Sequence, residues 1–394
     1  MRLLFINQYF PPDATNSAHL LGELSEDLAE FHEVTVVAGQ PSYNPAAGAK
    51  EPEGVRVFRP WSSSFNRSTM AGRLLNYATF LVSSVLSALR VPRVDLVVTM
   101  TDPPIIGAVG WLASVRHRCP FVMVYQDVFP DIAVALGKMQ SRKAAAVWRW
   151  VNRQLRKRAT RIVVVGRDMK EKLRTDGVDD SKLVYLPNWA SPQDSSKTQL
   201  DEVRNSQGWN GHFVVMHAGN VGLAQNLPFV IDAAEMVRDD KDVLFVFLGD
   251  GAAKDSLLRE ARRRKLDSIV FLPYQPKPEA QELMAAADVH LISLAPGMFG
   301  CAAPSKTYGI LASGRPAIGA LEAGSEIALT LEEYQCGVRV DPDDPVGLSD
   351  AIRRLKAADL DEMGGRGRKA LEARFQRTLV TSQYRKLFEE VTRS

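Results

Sequence analysis

Short apolar runs alternate along the chain with longer stretches in which apolar residues recur every three to four positions. The runs are Leu3–Asn7, Val34–Ala38, Val55–Arg59, Leu96–Met100, Phe121–Tyr125, Arg161–Val165 and Leu183–Leu186. After a break come Phe213–Ala218, Val243–Leu248, Ser268–Leu272, Val289–Leu294, Ala317–Ala320 and Gly337–Val340. Helical patterns lie between several of them: Ser17–Phe31, with Leu20, Leu21, Leu24 and Leu28 on one face, Pro228–Val237, Lys254–Arg264, Glu279–Ala287 and Leu348–Lys356. A last helix, Leu379–Thr392, follows a Gly/Arg stretch at Gly364–Arg368. Strands that lack polar alternation and are separated by helices predict a parallel sheet covered on both faces, built twice. The break PNWASPQDSSK, Pro187–Lys197, has no hydrophobic period and reads as a linker. Ligands are expected past the carboxyl ends of the strands.

Composition sharpens this picture in three ways. A chain of 394 residues, 45% hydrophobic and 24% charged, is globular and long enough for two or three domains with their own cores. Cys119, Cys301 and Cys336 are widely separated, offer neither a disulfide framework nor metal-ligand spacing, and fit a reducing cytosol. The opening MRLLFINQYFPPD reads as a first strand rather than a signal peptide, and no apolar run reaches the ~18 residues of a membrane span. The net charge of +3 conceals an asymmetry: residues 1–190 carry 24 Lys and Arg against 17 Asp and Glu, residues 191–394 carry 25 against 29. The first half is therefore the one expected to meet an anionic partner.

Candidate chemistry gathers at strand ends. In FGCAAPSKTYGILASGRPAIGA, Phe299–Ala320, a loop with Gly300 and Pro304 leads to a short helix opened by Ser305 and stopped at Gly314 and Pro316. Free backbone N–H groups and the helix dipole make such a start an anion site, and Lys306 adds a full charge; an ordinary loop with a solvated lysine is the alternative. HAGNVGLAQNL, His217–Leu227, is a strand breaking into a loop whose Gly219 and Gly222 let amides approach a phosphate. In FVFLGDGAAKDSLL, Phe245–Leu258, the GDG turn of Gly249, Asp250 and Gly251 opens a helix, and as a tight turn it can be purely structural. In the first half, three polar loops fall on one sheet edge: NQYFPPDATNSAH (Asn7–His19), TDPP (Thr101–Pro104) and QDVFPD (Gln126–Asp131).

Two segments suit an anionic membrane surface. Lys138–Arg161 has nine basic residues and no acidic one, with Val147, Trp148, Val151 and Leu155 on one helical face and Arg142, Arg149, Arg153 and Arg156 opposite. Asn66–Arg93 has four arginines, no carboxylate and a wide stripe of Leu74, Leu75, Ala78, Val82, Val85, Leu86 and Leu89, with Asn76, Thr79, Ser83 and Ser87 on the other side. For this second segment core packing of the stripe is the preferred reading. For the first, core packing and lipid contact stand side by side.

Taken in order, the loop after the first strand, NW (Asn188, Trp189), the Gly219 loop, GDG, PSK (Pro304–Lys306) and ASGRP (Ala312–Pro316) resemble the GT-B family 4 retaining glycosyltransferases, in a bacterial surface-polysaccharide branch. The resemblance covers nearly the whole chain. It implies an α/β, GT-B fold with two Rossmann-like doubly wound domains facing a central cleft: 1–190 on the acceptor side, 198–375 for the donor, and 376–394 as a helix packing back on the first domain. It also implies sugar transfer, with retention, from a nucleotide-diphosphate sugar to an acceptor hydroxyl, on a lipid-linked glycan, by a cytoplasmic or peripheral inner-membrane enzyme without metal, cofactor or nucleic acid. Donor contacts are then Gly219, Asn220, Gly222, Gln225, Gly249, Asp250, Gly251, Tyr274, Gln275, Pro304, Ser305, Lys306 and Thr307. Asn16, His19, Thr101 and Asp102 line the acceptor side, and Gln126 and Asp127 stand where many members place a His beside the reacting carbon. The chain departs from the family at four places. Cys301 and Gly309 replace a glutamate pair whose second member holds the ribose, and Asn220 and Gln225 replace an Arg and a Lys at the diphosphate. Lys306 is left to carry more of the charge stabilisation. A sugar-nucleotide 2-epimerase of the same fold and a catalytically silent nucleotide-sugar-binding protein are the alternatives.

Overall fold

The structure, a computed structural model, describes residues 1–41, 51–65, 70–193 and 196–393; residues 66–69 of the second basic segment and 194–195 of the linker lie outside them. Two compact units emerge. Unit 1 comprises Met1–Asn188, Gly300–Ala302 and Thr378–Ser394, and unit 2 comprises Trp189–Phe299 and Ala303–Arg377.

Unit 1 holds seven strands, β1 (Arg2–Ile6), β2 (Glu33–Val37), β3 (Val55–Phe58), β4 (Leu96–Thr99), β5 (Phe121–Tyr125), β6 (Arg161–Val164) and β7 (Leu183–Tyr185). Its helices are α1 (Asn16–Ala29), α2 (Met70–Arg90), α3 (Gly107–His117), α4 (Asp131–Ala135), α5 (Arg142–Arg158) and α6 (Arg167–Thr175). Unit 2 holds β8 (Phe213–Ala218), β9 (Val243–Leu248), β10 (Ile269–Leu272), β11 (Val289–Ser293), β12 (Ala317–Ala320) and β13 (Gly337–Val340). Its helices are α7 (Lys197–Gln207), α8 (Pro228–Met236), α9 (Lys254–Arg263), α10 (Lys277–Ala286), α11 (Lys306–Ser313), α12 (Glu326–Tyr334), α13 (Pro345–Lys356) and α14 (Leu360–Ala370). The last helix, α15, runs Arg377–Arg393.

The sheets run β3-β2-β1-β4-β5-β6-β7 and β10-β9-β8-β11-β12-β13, and every pairing is parallel. Both orders reverse direction at the first strand of the unit, between β1 and β4 and between β8 and β11, and such a switch leaves a crevice at the carboxyl edge. Burial explains the apolar runs. On β8, Val215 packs into one core with Phe229, Phe245 and Ile352, while Val214, Met216 and Ala218 pack into a second with Trp209 and Leu283 on the opposite face. A strand covered on both sides is apolar at nearly every position, and His217 near the end of β8 is the exception within it.

In unit 1, α15 brings Phe388 edge-on to Phe5 at 6.0 Å, with Tyr384 beside it at 5.9 Å. Phe5 and Phe388 are fully buried, and truncating either to Ala would cost about 3–5 kcal/mol. The Gly364–Arg368 stretch lies within α14. Glycine is needed there because a Cβ at Gly364 would fall on the Gly314 carbonyl at the end of α11.

The stripe of α2 corrects the expectation of core packing. Leu74, Leu75, Val82 and Leu86 are 50–65% exposed, whereas the buried row is Asn76, Phe80, Ser84 and Ala88. Asn76 turns inward because its amide closes three bonds to the preceding segment: Oδ1 accepts from Ser63 Oγ and from Phe65 N, each at 2.9 Å, and Nδ2 donates to Phe65 O at 2.9 Å. On α5, Leu155 is buried and Trp148 stacks on Phe129 at 6.3 Å, while Val147 and Trp150 stay exposed. Arg156 does not belong to a solvent-facing basic row. Its guanidinium is buried and donates to Tyr125 Oη and to Asp176, both at 3.2 Å.

Candidate active site

Each unit concentrates chemistry at the carboxyl edge of its own sheet. In unit 2 the end of β8 is tied to the end of β9, with Gly219 N donating to Leu248 O and Val221 N to Asp250 O, both at 2.8 Å. The two turns approach so closely that a Cβ on Gly249, whose φ is +137°, would fall on the Gly219 carbonyl oxygen. Across the switch, Ala295 N donates to Ala224 O at 2.8 Å and Ser293 Oγ to Gln225 O. The structure thus brings together Gly219, Asn220, Gly222, Gln225, Gly249 and Gly251. A Cβ at Gly222 would touch the side-chain amides of both Asn220 and Gln225. The Gln225 Oε1 is buried without a hydrogen-bond partner, an acceptor of the kind that bound ligands or water satisfy.

Lys306, first residue of α11, reaches the same cluster. Its Nζ lies 2.9 Å from Nδ1 of His217, the buried penultimate residue but one before Gly219. Burial, with no carboxylate to offset it, pulls the Lys306 ammonium down to about 7. His217 is pushed well below the usual imidazole range, by burial first and the Lys306 charge second. His290 on β11 is likewise buried and drops to about 4, its Nε2 donating to Met284 O at 2.9 Å. No side chain caps α11 at Ser305, although the amides of Thr307 and Tyr308 turn back onto Pro304 and Ser305. The Thr307 hydroxyl is fully buried and unpartnered. Asp250 is exposed and accepts from Gly251 N at 2.8 Å, and Tyr274 is 49% exposed beyond β10. A second cation went unnoticed in the sequence: Lys254 Nζ lies 3.3 Å from the Gly249 carbonyl, at the mouth of the GDG turn.

In unit 1 the switch between β1 and β4 is laced by Gln8 N donating to Asp102 O at 2.7 Å and Asp102 N to Asn7 Oδ1 at 3.2 Å. Two carboxyl groups occupy this edge. Asp127 is pushed up to about 7 by burial and, secondarily, by the Asp102 charge; burial raises Asp102 as well, opposed by a hydrogen bond from Ser17. Asp127 is held by a backbone bridge to Ala302, with Val128 N donating to Cys301 O at 2.8 Å. The Gln8 Oε1 and Thr101 Oγ1 are buried and unpartnered among the described residues. Gln8 and Ser17 carried no signal that distinguishes them from loop and helix-start residues. Asn16 is exposed at the start of α1, capped by Thr15, and His19 follows one turn on. The Gln126 amide exchanges two hydrogen bonds with Asn188, at 3.0 and 2.9 Å, which brace the end of β5. Among the described residues no group of three or more His, Cys, Asp or Glu is placed to hold a metal ion.

Residues 18–189 match the Glycosyl transferase 4-like domain and residues 212–357 the Glycosyl transferases group 1. WbjE of Pseudomonas aeruginosa, named as a probable glycosyltransferase, is 29% identical over 327 residues, covering 82% of this chain and 81% of its own. WcaI of Escherichia coli strain K12, named as a candidate colanic acid biosynthesis glycosyl transferase, is 27% identical over 379 residues, 90% of this chain and 92% of its own. The crystal structure of Anabaena HepE in complex with UDP is similar in fold, with a TM-score of 0.77 at 18% identity over 99% of this chain and 100% of that one.

Proposed function

The chain belongs to the GT-B glycosyltransferases of family 4, and from that premise we propose that it transfers a sugar from a nucleoside-diphosphate donor to a hydroxyl of a lipid-linked glycan, with retention, in bacterial surface-polysaccharide assembly. The observation that carries this reading is the cluster at the β8–β11 switch. Two glycine turns in backbone contact, an unpartnered Gln225 acceptor, the start of α11 and the Lys306 ammonium meet there. As the anomeric carbon parts from the diphosphate oxygen, negative charge grows on the leaving group, and preorganised donors stabilise it more than they stabilise the bound donor. Lys306, Lys254 and the loop amides supply that stabilisation, so no metal or cofactor is needed. On unit 1 the Asp127 carboxyl, beside Asp102, orients the acceptor hydroxyl or the sugar. The relatives named above support the pathway class, and the UDP and UDP-glucose complexes of HepE support a nucleotide sugar as donor.

The membrane reading now rests on a different surface. α2 packs against α3 and α3 against α5, and none of the three helices contains an acidic residue. Their outward residues include Leu74, Leu75, Val82 and Leu86 on α2, Leu112 and Val115 on α3, and Val147 and Trp150 on α5. Lys143, Arg153 and Lys157 flank the last pair and are exposed. Apolar side chains ringed by cations suit an anionic bilayer interface, where a lipid-linked acceptor resides. No helix among the described residues is long and apolar enough to cross a membrane.

Thermal melts with a panel of nucleotide sugars test the donor, since a bound ligand raises stability with its affinity. The hit is then incubated with lipid-linked acceptors. Interconversion of the free nucleotide sugar without any acceptor would replace transfer with epimerisation.

A further inference from the structure

The Lys306 ammonium has an unusual partner. Charge-bearing lysines in enclosed sites normally face a carboxylate, yet here the group within hydrogen-bond distance is the imidazole of His217. The ring's other nitrogen, Nε2, lies 3.2 Å from the Asn220 carbonyl oxygen and 3.5 Å from the same ammonium, and the Leu291 backbone also accepts from the ring. A carbonyl can only accept, so Nε2 carries the proton and Nδ1 presents a lone pair. That lone pair is what Lys306 meets at 2.9 Å, with the ammonium as donor. The tautomer is therefore set by the Gly219–Gly222 loop, and the direction of the lysine is set by the tautomer. His217 itself is 2% exposed, in the last turn of β8, where Phe247 lies against it at 6.1 Å between ring centres. It cannot swing away from either contact without opening the core.

We propose that His217 is a positioning residue: a neutral imidazole that aims the Lys306 ammonium at the bound diphosphate and ties that aim to the conformation of the Asn220 loop. This rests on the donor-site reading above. It also answers a deficit in the chain, because the loop has Asn220 and Gln225 and no cation of its own. A half-buried lysine held by an acceptor without charge offers the ligand, whenever it is protonated, a positive charge that a carboxylate partner would largely cancel. The cost is a weak hold on the proton. Burial draws Lys306 down to about 7, and the titratable groups facing it are His217 on β8 and His290 on β11, both buried and driven toward the neutral form. Neither supplies a negative charge. The hydrogen bond from Lys306 to Nδ1 favours the ammonium, so losing it moves the lysine toward the neutral amine.

The test uses the full chain with UDP and, separately, inorganic pyrophosphate as probes, measured by calorimetry from pH 6 to 9, and kcat/KM for the best donor over the same range. In His217→Phe, UDP binding is expected to weaken about tenfold at pH 8 and much less at pH 6, with the alkaline limb of kcat/KM displaced downward by about one pH unit. His217→Asn, which retains an acceptor at similar reach, should stay within about threefold of the parent. In the parent, 15N spectra of the imidazole should show Nε2 protonated and Nδ1 hydrogen-bonded, with the Nδ1 signal shifting in Lys306→Ala; this measurement decides the matter even where His217→Phe does not fold. UDP affinity in His217→Phe that matches the parent at every pH, while Lys306→Ala binds poorly, overturns the positioning role and leaves the donor site standing. A parent protein that binds neither UDP nor any nucleotide sugar removes the donor reading and this inference together. An equal loss in His217→Phe and His217→Asn, without pH dependence, assigns His217 to packing alone and likewise overturns the proposal.

Discussion

The two sheets share one design and carry opposite chemistry. At the β1–β4 switch of unit 1, the ionisable groups are the half-buried carboxyls of Asp102 and Asp127, and desolvation raises both. At the β8–β11 switch of unit 2, they are the half-buried Lys306 and the buried His217, and desolvation lowers both. Desolvation penalises charge of either sign: it brings Asp127 up and Lys306 down to about 7, and drives Asp102 and His217 toward their neutral forms. The difference lies in which charge a ligand restores. On the proposed reading, an incoming diphosphate would stabilise the Lys306 ammonium, whereas a sugar or acceptor hydroxyl would meet a carboxyl that can accept or, when protonated, donate. The lesson is that the doubly wound sheet fixes where a site forms, and a few side chains at the switch fix what it binds.

The largest effect is expected from removing the cation of the second edge. Lys306→Ala should lower kcat/KM for the best donor by roughly 10²–10³, as expected for a donor that strengthens its contact with a departing anion. Gln225→Lys in that background should recover part of the loss, since Gln225 lines the same loop. A Lys306→Ala enzyme keeping more than about half of the parental activity would show that Lys254 or the amides alone suffice, with melts confirming that both proteins are folded.

Asp127→Asn tests the other edge and separates function from stability. Activity should fall by about 10²-fold if the carboxyl orients a reacting hydroxyl. Stability should move the other way. The folded-state value of Asp127, about 7, lies above its unfolded value, so its contribution to stability is complete below the unfolded value and is lost as pH rises through 7. Asn carries no such loss. The variant should therefore melt at or above the parent's temperature at pH 8 and alongside it at pH 5. A lower melting point at pH 8 than at pH 5, relative to the parent, contradicts a desolvated carboxyl.

Smaller effects are expected at the helical surface of unit 1. Combined Val82→Ser and Leu86→Ser on α2, or Arg153→Glu and Lys157→Glu on α5, should reduce co-sedimentation with anionic vesicles, by about 1 kcal/mol per basic charge removed, and salt should weaken the binding of the parent. Equal recovery with neutral and anionic vesicles would argue against charge as a contributor. The smallest expected effect is none: chelation of divalent ions should leave kcat unchanged. A strict Mg²⁺ or Mn²⁺ requirement, restored on re-addition, would replace the lysine-based account of leaving-group stabilisation.

Much of the architecture was legible in the chain. All thirteen strands lie within one residue of the apolar runs, because a strand covered on both faces is apolar at most of its positions, and the glycine turns and PSK marked the second edge. Other features escaped for identifiable reasons. The Gly/Arg stretch at Gly364–Arg368 shows no helical period, and its place within α14 is explained only by the Gly314 carbonyl resting where a Cβ at Gly364 would be. A wide leucine stripe reads as core until Asn76 is found satisfying the backbone of Phe65 and turning the stripe outward. Arg156 reads as part of a basic helical face until Tyr125 and Asp176 are found bonded to it, and the partner of Gln126, Asn188, is 62 residues away in the chain.

By itself, the amino-acid sequence determined the order of strands and helices, the two-unit plan and the loops that carry chemistry, since burial periodicity and turn residues act over a few positions at a time. Tertiary structure alone decided which side chains meet. His217 and Lys306 are 89 residues apart in the chain and 2.9 Å apart in space. The Asp102 charge raises Asp127 only because β4 and β5 are neighbours in the sheet. A hydrogen bond or a field between ionisable groups depends on distance and dielectric, and neither is a local property of sequence.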